Sequence, residues 1–296
     1  MELNGLEDQI RVIDRKPTDP LLPFDVLGVD TIDFVMMNPP FYESDEEMLS
    51  SAKKKARPPH SACTGAPVEM VCDGGEVAHV GRMLTESLVL RERVRWYTSM
   101  FGKVSSLEAM IDKLREHGID NYAVTEFVQG NKTKRWALGW SFGAMRPAQE
   151  VARGMTPLAW KKVLPPITRM VLVTLPITKE VGALVDRIVE VMNSLELLSW
   201  VWDKQALRGI GRTRENVWSR AWRRKKMREK PTDAVAAKLT VPPSGHAGSE
   251  KCHLGFAVVV EVGTSGTEVS LQWREGHDQG IFESLGGFLQ GKLKDI

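Results

Sequence analysis

Apolar positions recur along the chain in two rhythms. Ile10–Arg11–Val12–Ile13 reads as a short strand and is followed by a Pro-rich loop from Lys16 to Pro23. Ile32 to Met37 is a continuous apolar run of the kind buried on both faces of a sheet, and it stops abruptly at Asn38-Pro39-Pro40-Phe41. Residues 42–73 are polar and punctuated by Pro and Gly, and predict a long loop. Gly74-Gly75-Glu76 opens a helical stretch with Val77, Val80, Met83, Leu84 and Leu88 at helical spacing. Arg93 to Met100 predicts a strand. Ser105 or Ser106 caps a helix with Leu107, Met110, Ile111 and Leu114 on one face, stopped by Gly118. Tyr122 to Val128 and Lys134 to Phe142 predict a hairpin around Gly130-Asn131-Lys132-Thr133. Strand, helix, strand, helix, strand, strand is the C-terminal half of a doubly wound α/β sheet that finishes in an antiparallel hairpin.

After a linker around Arg146 to Pro166, the rhythm starts again. Met170 to Pro176 predicts a strand, and Val181 to Leu195 an amphipathic helix. Leu197 to Trp202 predicts a further strand, and Thr213 to Lys230 a basic helix. Residues 231–250 read as flexible, rich in Pro, Gly and Ala. Leu254 to Val262 and Glu268 to Arg274 predict a strand pair, and a last helix aligns Ile281, Phe282, Leu285, Phe288 and Leu289. The expected organisation is a Rossmann-like unit over 1–146, a linker over 147–164 and a small α+β domain over 165–296.

Composition narrows the class. The 296 residues are 42% hydrophobic and 26% charged, which suits a globular chain with a sizeable core. No apolar run approaches a membrane span, and the polar start has no secretory core, so nucleus or cytoplasm is expected. Cys63, Cys72 and Cys252 are scattered, the six histidines form no ligand spacing, and neither a disulfide framework nor a metal site is expected. The net charge is only +2, but its distribution is uneven. Lys53, Lys54, Lys55 and Arg57 form one basic cluster, and Asp203 to Lys230 holds eleven Lys or Arg against three acids. Such runs are usually solvated faces, but two of them beside turn and aromatic residues point towards phosphates. Trp218 and Trp222, four apart, are expected to pack inward and leave Arg220, Arg223, Arg224 and Lys226 outward. Gly209-Ile210-Gly211 reads as a loop before the basic helix, and Glu43, Asp45, Glu46 and Glu47 as solvated loop acids.

An apolar strand ending in Asn-Pro-Pro-Phe carries the chemistry. The lone pair of an exocyclic amine is delocalised into its ring, so the amine must be held facing a methyl donor while its hydrogens are accepted. An Asn side-chain oxygen and the next Pro carbonyl do this together. The prolines fix the direction of that carbonyl, and the aromatic residue stacks on a flipped base. A bare Asn-Pro-Pro also serves simply to end a strand.

The surrounding residues decide. Met37-Asn38-Pro39-Pro40-Phe41, Arg57-Pro58-Pro59 with Thr64-Gly65, Gly74-Gly75-Glu76, Arg95-Trp96-Tyr97, Gly102-Lys103, Thr125-Glu126-Phe127, Arg135-Trp136-Ala137-Leu138 and Trp140-Ser141-Phe142 occur in this order. From Asp33 to Phe142 the chain resembles the methyltransferase-like-16 family of RNA adenine N(6)-methyltransferases, whose substrates include U6 spliceosomal RNA. The resemblance implies S-adenosylmethionine as methyl donor and structured RNA as partner. It makes Asn38, Pro39, Pro40 and Phe41 the catalytic tetrad and Lys53, Lys54, Lys55 and Arg57 an RNA-gripping loop. It assigns donor contacts to Asn38 and Thr18 and an RNA-binding role to the C-terminal domain, where the outward Arg220, Arg223 and Arg224 of the basic helix are expected to meet phosphates, as is Lys103 in the first unit.

In a doubly wound methylase, two earlier strands hold most of the donor. Neither is expected in this sequence, where residues 1–13 match the end of a helix and the third strand. The donor pocket is then incomplete, and the Ile32–Met37 strand is left with an unpaired apolar edge. A truncated reading frame is the expected cause, and a donor-free RNA-binding paralogue is the alternative. Glutamine-modifying methylases share an Asn-Pro-Pro-Tyr ending, but the two basic clusters favour RNA.

Overall fold

Where the apolar run Ile32–Met37 meets Asn38-Pro39, the backbone leaves the sheet, because Pro39 has no N–H for a ladder. In the computed structural model, which describes residues 4–53, 70–129, 133–155, 162–176, 180–228 and 252–294, this run is strand β1. It pairs in parallel with β2 (Val94–Phe101), from Ile32 opposite Val94 to Met37 opposite Ser99. Phe24–Leu27 makes a single-turn helix α1 before β1, and Asp45–Lys53 forms α2 after it. The crossover to β2 runs through α3 (Gly75–Leu90), and α4 (Val104–Glu116) follows β2. The hairpin β3 (Tyr122–Gln129) and β4 (Thr133–Trp140) inserts β4 antiparallel beside β2. A short α5 (Gln149–Ala152) leads to β5 (Arg153–Gly154), parallel to β3, which gives the order β1-β2-β4-β3-β5. This is the expected α/β, Rossmann-like arrangement.

The helical spacing of α3 and α4 sets the core. Met83, Leu107, Met110, Ile111 and Leu114 are fully buried with Tyr97, Phe101, Leu138 and Trp140 of the sheet. Each such side chain contributes about 1.5–3 kcal/mol. Tyr97 and Trp140 stack at 5.6 Å, and the Trp140 indole N–H donates to Ser87 Oγ at 3.1 Å.

Several expectations need correction. β1 is an edge strand and is not buried on both faces: Phe34 is 64% and Met36 81% exposed. Among the described residues a strand lies on only one side of it, and the sheet face away from α3 and α4 is open. Trp96, Thr98, Thr125 and Gly139 line a groove of about 470 Å³ on that face. Residues 10–13 are not a strand, because no neighbour pairs with them and Ile10 and Val12 are exposed. The expected loop 42–73 contains α2. Its start resembles a capping box displaced by one residue: the Glu47 N–H donates to Ser44 Oγ at 3.2 Å, and the Glu47 carboxylate accepts the N–H of Glu43, the residue before Ser44, at 2.8 Å. Neither Ser105 nor Ser106 caps α4, whose N-cap position is Lys103. The expected linker is partly structured, since α5 and β5 lie within it. The expected hairpin turn at 130–132, Cys63 and the stretch 231–250 lie outside the described residues.

The second unit is an antiparallel sheet of β6 (Arg169–Leu175), β7 (Ser199–Asp203), β8 (Arg208–Thr213), β9 (Leu254–Val262) and β10 (Thr267–Glu275), in the order β6-β10-β9-β8-β7. Helices α6 (Val181–Asn193) and α8 (Gln279–Leu293) bury Leu184, Ile188, Met192, Phe282, Leu285 and Leu289 in its core. Trp273 and Phe282 stack at 5.4 Å. The basic helix α7 spans Arg220–Arg228, shorter than expected. Gly209-Ile210-Gly211 is not a loop; it lies within β8. Both glycines make room for rings: a Cβ on Gly209 would sit 2.0 Å from Trp200, and one on Gly211 2.4 Å from Phe256. Gly211→Ala therefore destabilises the chain by about 1–3 kcal/mol through overpacking. Urea denaturation checks this, and an unchanged midpoint would show that Phe256 yields freely.

Arg146 joins the two sheets. Its backbone N–H donates to Arg274 O at 2.9 Å, and the Gly276 N–H donates to Ala144 O at 2.9 Å. Its side chain, 1% exposed, pairs with Asp120 at 2.9 Å. It donates to Gly276 O at 2.8 Å and lies 3.9 Å from the Trp273 ring centroid. Burial pulls its pKa below the usual guanidinium value, and Asp120 opposes that shift. Among the described residues no helix is long and apolar enough to cross a membrane.

Candidate active site

Pro39 and Pro40 are buried as the chain leaves β1, Asn38 is exposed just before them, and Phe41 is half-buried after them. Two successive prolines hold φ near about −65° and bias Asn38 and Pro39 to extended backbone, which narrows the directions open to the Pro39 carbonyl. Phe41 is held by what surrounds it. A Cβ on Gly102 would lie 3.0 Å from its ring, so that position has little room for a side chain. The Arg135 guanidinium lies 5.3 Å from the ring centroid. The next residue is clamped by backbone: the Tyr42 N–H donates to Met70 O at 3.1 Å, and the Cys72 N–H donates to Tyr42 O at 3.0 Å.

Glu76 organises the floor. It sits at the start of α3, after Gly74 and Gly75 with φ of 72° and 60°. Its side chain is buried, and its carboxylate accepts the Gly102 N–H at 2.6 Å and the Lys103 N–H at 3.1 Å. One acid thus satisfies backbone donors at the opening of α4 and fixes the glycine against Phe41. Lys103 Nζ reaches back to Glu47 at 2.5 Å. The Glu43 N–H, and then Lys103, hold the Glu47 carboxyl below its ordinary value, while Glu47 pushes the Lys103 ammonium up. Both stay charged at neutral pH, and the pair ties α2 to the start of α4.

The expected site residues separate into groups. Asn38, Pro39, Pro40 and Phe41 follow β1 without a break, and Phe41 lies against Gly102 and near Arg135. Lys103 is half-exposed and engaged with Glu47, so it tethers α2. Thr18 is exposed. Its turn is held on α3, where Arg82 donates to Asp19 O at 3.0 Å and the Leu21 and Leu22 N–H groups donate to Glu86 at 2.8 and 2.9 Å. At 1.5 Å per residue, those anchors lie roughly 9–15 Å along the helix from Glu76. Lys53 ends α2 with its side chain outside the described residues, and Lys54, Lys55 and Arg57 lie wholly outside them. Arg220, Arg223 and Arg224 are exposed on α7 in the second unit. Sequence reasoning missed Glu76, Glu47 and Arg135 as positioning groups. The Ser44-x-x-Glu47 spacing signalled one of them.

The corner fits only the methyl-facing side of S-adenosylmethionine. In a doubly wound sheet, the strands that grip a nucleoside donor lie beyond the free edge of β1, and among the described residues nothing pairs there.

The RNA methyltransferase family matches the chain over residues 1–144. The chain is 36% identical over 292 residues to the U6 small nuclear RNA (adenine-(43)-N(6))-methyltransferase of Schizosaccharomyces pombe, covering 99% of itself and 68% of that relative. It is 40% identical over 147 residues to the RNA N(6)-adenosine-methyltransferase METTL16 of Homo sapiens, covering 48% of itself and 26% of that protein. A crystal structure of the hMettl16 catalytic domain with a MAT2A 3'UTR hairpin 1 aligns over 48% of this chain and 49% of that one, at 40% identity and a TM-score of 0.43. The chain thus spans about a quarter of the human relative and about two thirds of the fission yeast one. On the breadth of the match to the fission yeast enzyme, the chain belongs to the family of RNA adenine N(6)-methyltransferases that includes the U6 small nuclear RNA enzymes and METTL16.

Proposed function

We propose that this chain positions an adenine of structured RNA, U6-like or another hairpin, for S-adenosylmethionine-dependent N(6)-methylation. The observation that carries this is the corner at the end of β1. An exposed amide, Asn38, precedes two buried prolines and an aromatic ring fixed by Gly102 and Arg135. Asn38 Oδ1 and the Pro39 carbonyl accept the two hydrogens of the amine and turn its nitrogen towards the donor side. Phe41 stacks on the flipped base, and the nearby Arg135 cation favours the RNA backbone. No strong base is needed, because the alkylated amine loses its proton readily.

The chain divides on this reading into a methylase part over 1–146, a linking segment over 147–164 and an RNA-binding part over 165–296. Helix α7 is its phosphate-facing element: six of its nine residues are Lys or Arg and none is acidic. On this reading the protein works in the nucleus or the cytoplasm, and in the nucleus for a small nuclear RNA substrate. The second reading is a donor-free RNA-binding paralogue, and its observation is that, among the described residues, no strand pairs with the outer edge of β1.

Both readings require salt-sensitive RNA binding through α7. Replacing Arg220, Arg223 and Arg224 by Ala flattens the log–log salt dependence of hairpin affinity by about 2 to 3 units, at roughly 0.7–0.9 per phosphate contact. Filter binding across a salt series reads the slope, and an unchanged slope would remove α7 from the interface. Methyl transfer separates the two readings.

A further inference from the structure

We infer that the second unit holds a pocket for one unpaired nucleobase of a bound RNA, built on Trp222. The inference rests on the RNA-binding reading above and adds to it a base-recognition site away from the β1 corner.

Trp222 differs from its neighbour Trp218. Trp218 is buried and donates its indole N–H to Ser284 Oγ at 3.0 Å, as a core residue does. Trp222 is half-buried on the rim of a cavity of about 390 Å³ between α7 and α8. That volume is in the range of about 300–1,000 Å³ typical of small-ligand sites. The opposite wall is Phe288, and Val217 and Trp218 also line the cavity. Met227, on the same helix and also lining it, is 81% exposed.

Cations ring this aromatic slot. Lys225 and Lys226 Nζ lie 5.5 and 5.9 Å from the Trp222 centroid, and Lys292 Nζ lies 6.0 Å from the Phe288 centroid. Arg223 completes the rim. Glu196 pairs with Lys226 and is the acid of the cavity wall. An apolar aromatic slot with cations at its mouth suits a flat ring joined to a phosphate, because the ring stacks while the phosphate meets the ammonium and guanidinium groups. Duplex RNA keeps its bases stacked inside the helix and cannot offer such a ring, whereas a loop or bulge can. The ligand class is therefore an unpaired nucleotide of a structured RNA.

The test uses the whole chain and two RNAs of equal charge, a blunt duplex and a hairpin with an unpaired loop. Trp222→Ala is expected to weaken loop RNA about tenfold, leave duplex affinity nearly unchanged and leave the salt slope intact. Trp222→Phe, which keeps a stacking face, is expected to recover most of the loss. In the wild-type chain, photocrosslinks from a 5-bromouridine loop are expected on α7 at Trp222, a readout that does not depend on any variant folding. Equal weakening of both RNAs by Trp222→Ala, with no crosslink on α7, would mean the ring only supports the helix and would overturn the pocket while leaving RNA binding in place. Absence of RNA binding by the wild-type chain would overturn the RNA-binding reading and the pocket with it. Crosslinks confined to residues outside α7 and α8 would also overturn it.

Discussion

Asn38→Ala lowers the single-turnover rate of adenine methylation by about 100-fold or more and leaves RNA affinity within about twofold of wild type. On the proposed reading the rate falls because the side-chain oxygen that would accept one amine hydrogen is gone, and the Pro39 carbonyl alone would leave the amine free to turn. A preorganised hydrogen-bond partner of this kind is typically worth about 100- to 1,000-fold in rate. Affinity survives because Asn38 is one exposed neutral amide, whereas phosphate contacts from cationic side chains dominate binding. The assay uses a fusion that places the donor-binding strands of a doubly wound methylase beside β1. A rate within a few-fold of wild type would show that Asn38 does not hold the amine.

Glu76→Ala has the largest expected effect on stability. The Glu76 side chain is 3% exposed and accepts two backbone N–H groups, at 2.6 and 3.1 Å. Truncation leaves both donors without that partner at the opening of α4. Hydrogen bonds to a charged group contribute about 1.5–3 kcal/mol each, and the two share one carboxylate, so a loss of about 3 kcal/mol is expected. Against a typical total of about 5–15 kcal/mol, that is a large fraction. Gly102 also loses its anchor against Phe41, so the methylation rate falls with stability. Glu76→Gln keeps one acceptor and is expected to lose roughly half as much. Urea midpoints for the two variants check the order, and a Glu76→Ala midpoint equal to wild type would contradict the role given to this acid.

What the sequence showed and what it hid divide along the range of the interactions. β1 was legible to the residue, because a continuous apolar run met Asn-Pro-Pro and no ladder continues through Pro39. The hydrophobic faces of α3, α4 and α6 followed from helical spacing alone. Ile10–Ile13 shows the opposite case: a strand exists only where another strand pairs with it, and none of the described residues does so there. The exposure of Phe34 and Met36 has the same origin, since burial of an apolar strand depends on the layers around it. β8 was hidden because glycines at 209 and 211 read as loop formers, and only the rings of Trp200 and Phe256 explain them. The start of α4 misled for a related reason, since two nearby serines suggested a local cap while the partner is Glu76, 26 residues away from Gly102. At the site, Asn38-Pro39-Pro40-Phe41 stood out in the sequence as a motif, and its role is the one proposed above. The Glu47–Lys103 tether and the Arg135 contact are tertiary and left no local trace.

The most direct test of the account is the identity of the methylated product. The fusion that completes the donor side is incubated with S-adenosylmethionine carrying a labelled methyl group, a structured adenine-bearing hairpin RNA and total protein. The RNA is then digested to nucleosides, the protein to peptides, and both are analysed by mass spectrometry. The expected label is in N(6)-methyladenosine at one adenine of the RNA, and it is lost in Asn38→Ala. Label on a protein glutamine, or on an RNA nucleoside other than adenosine, would contradict it.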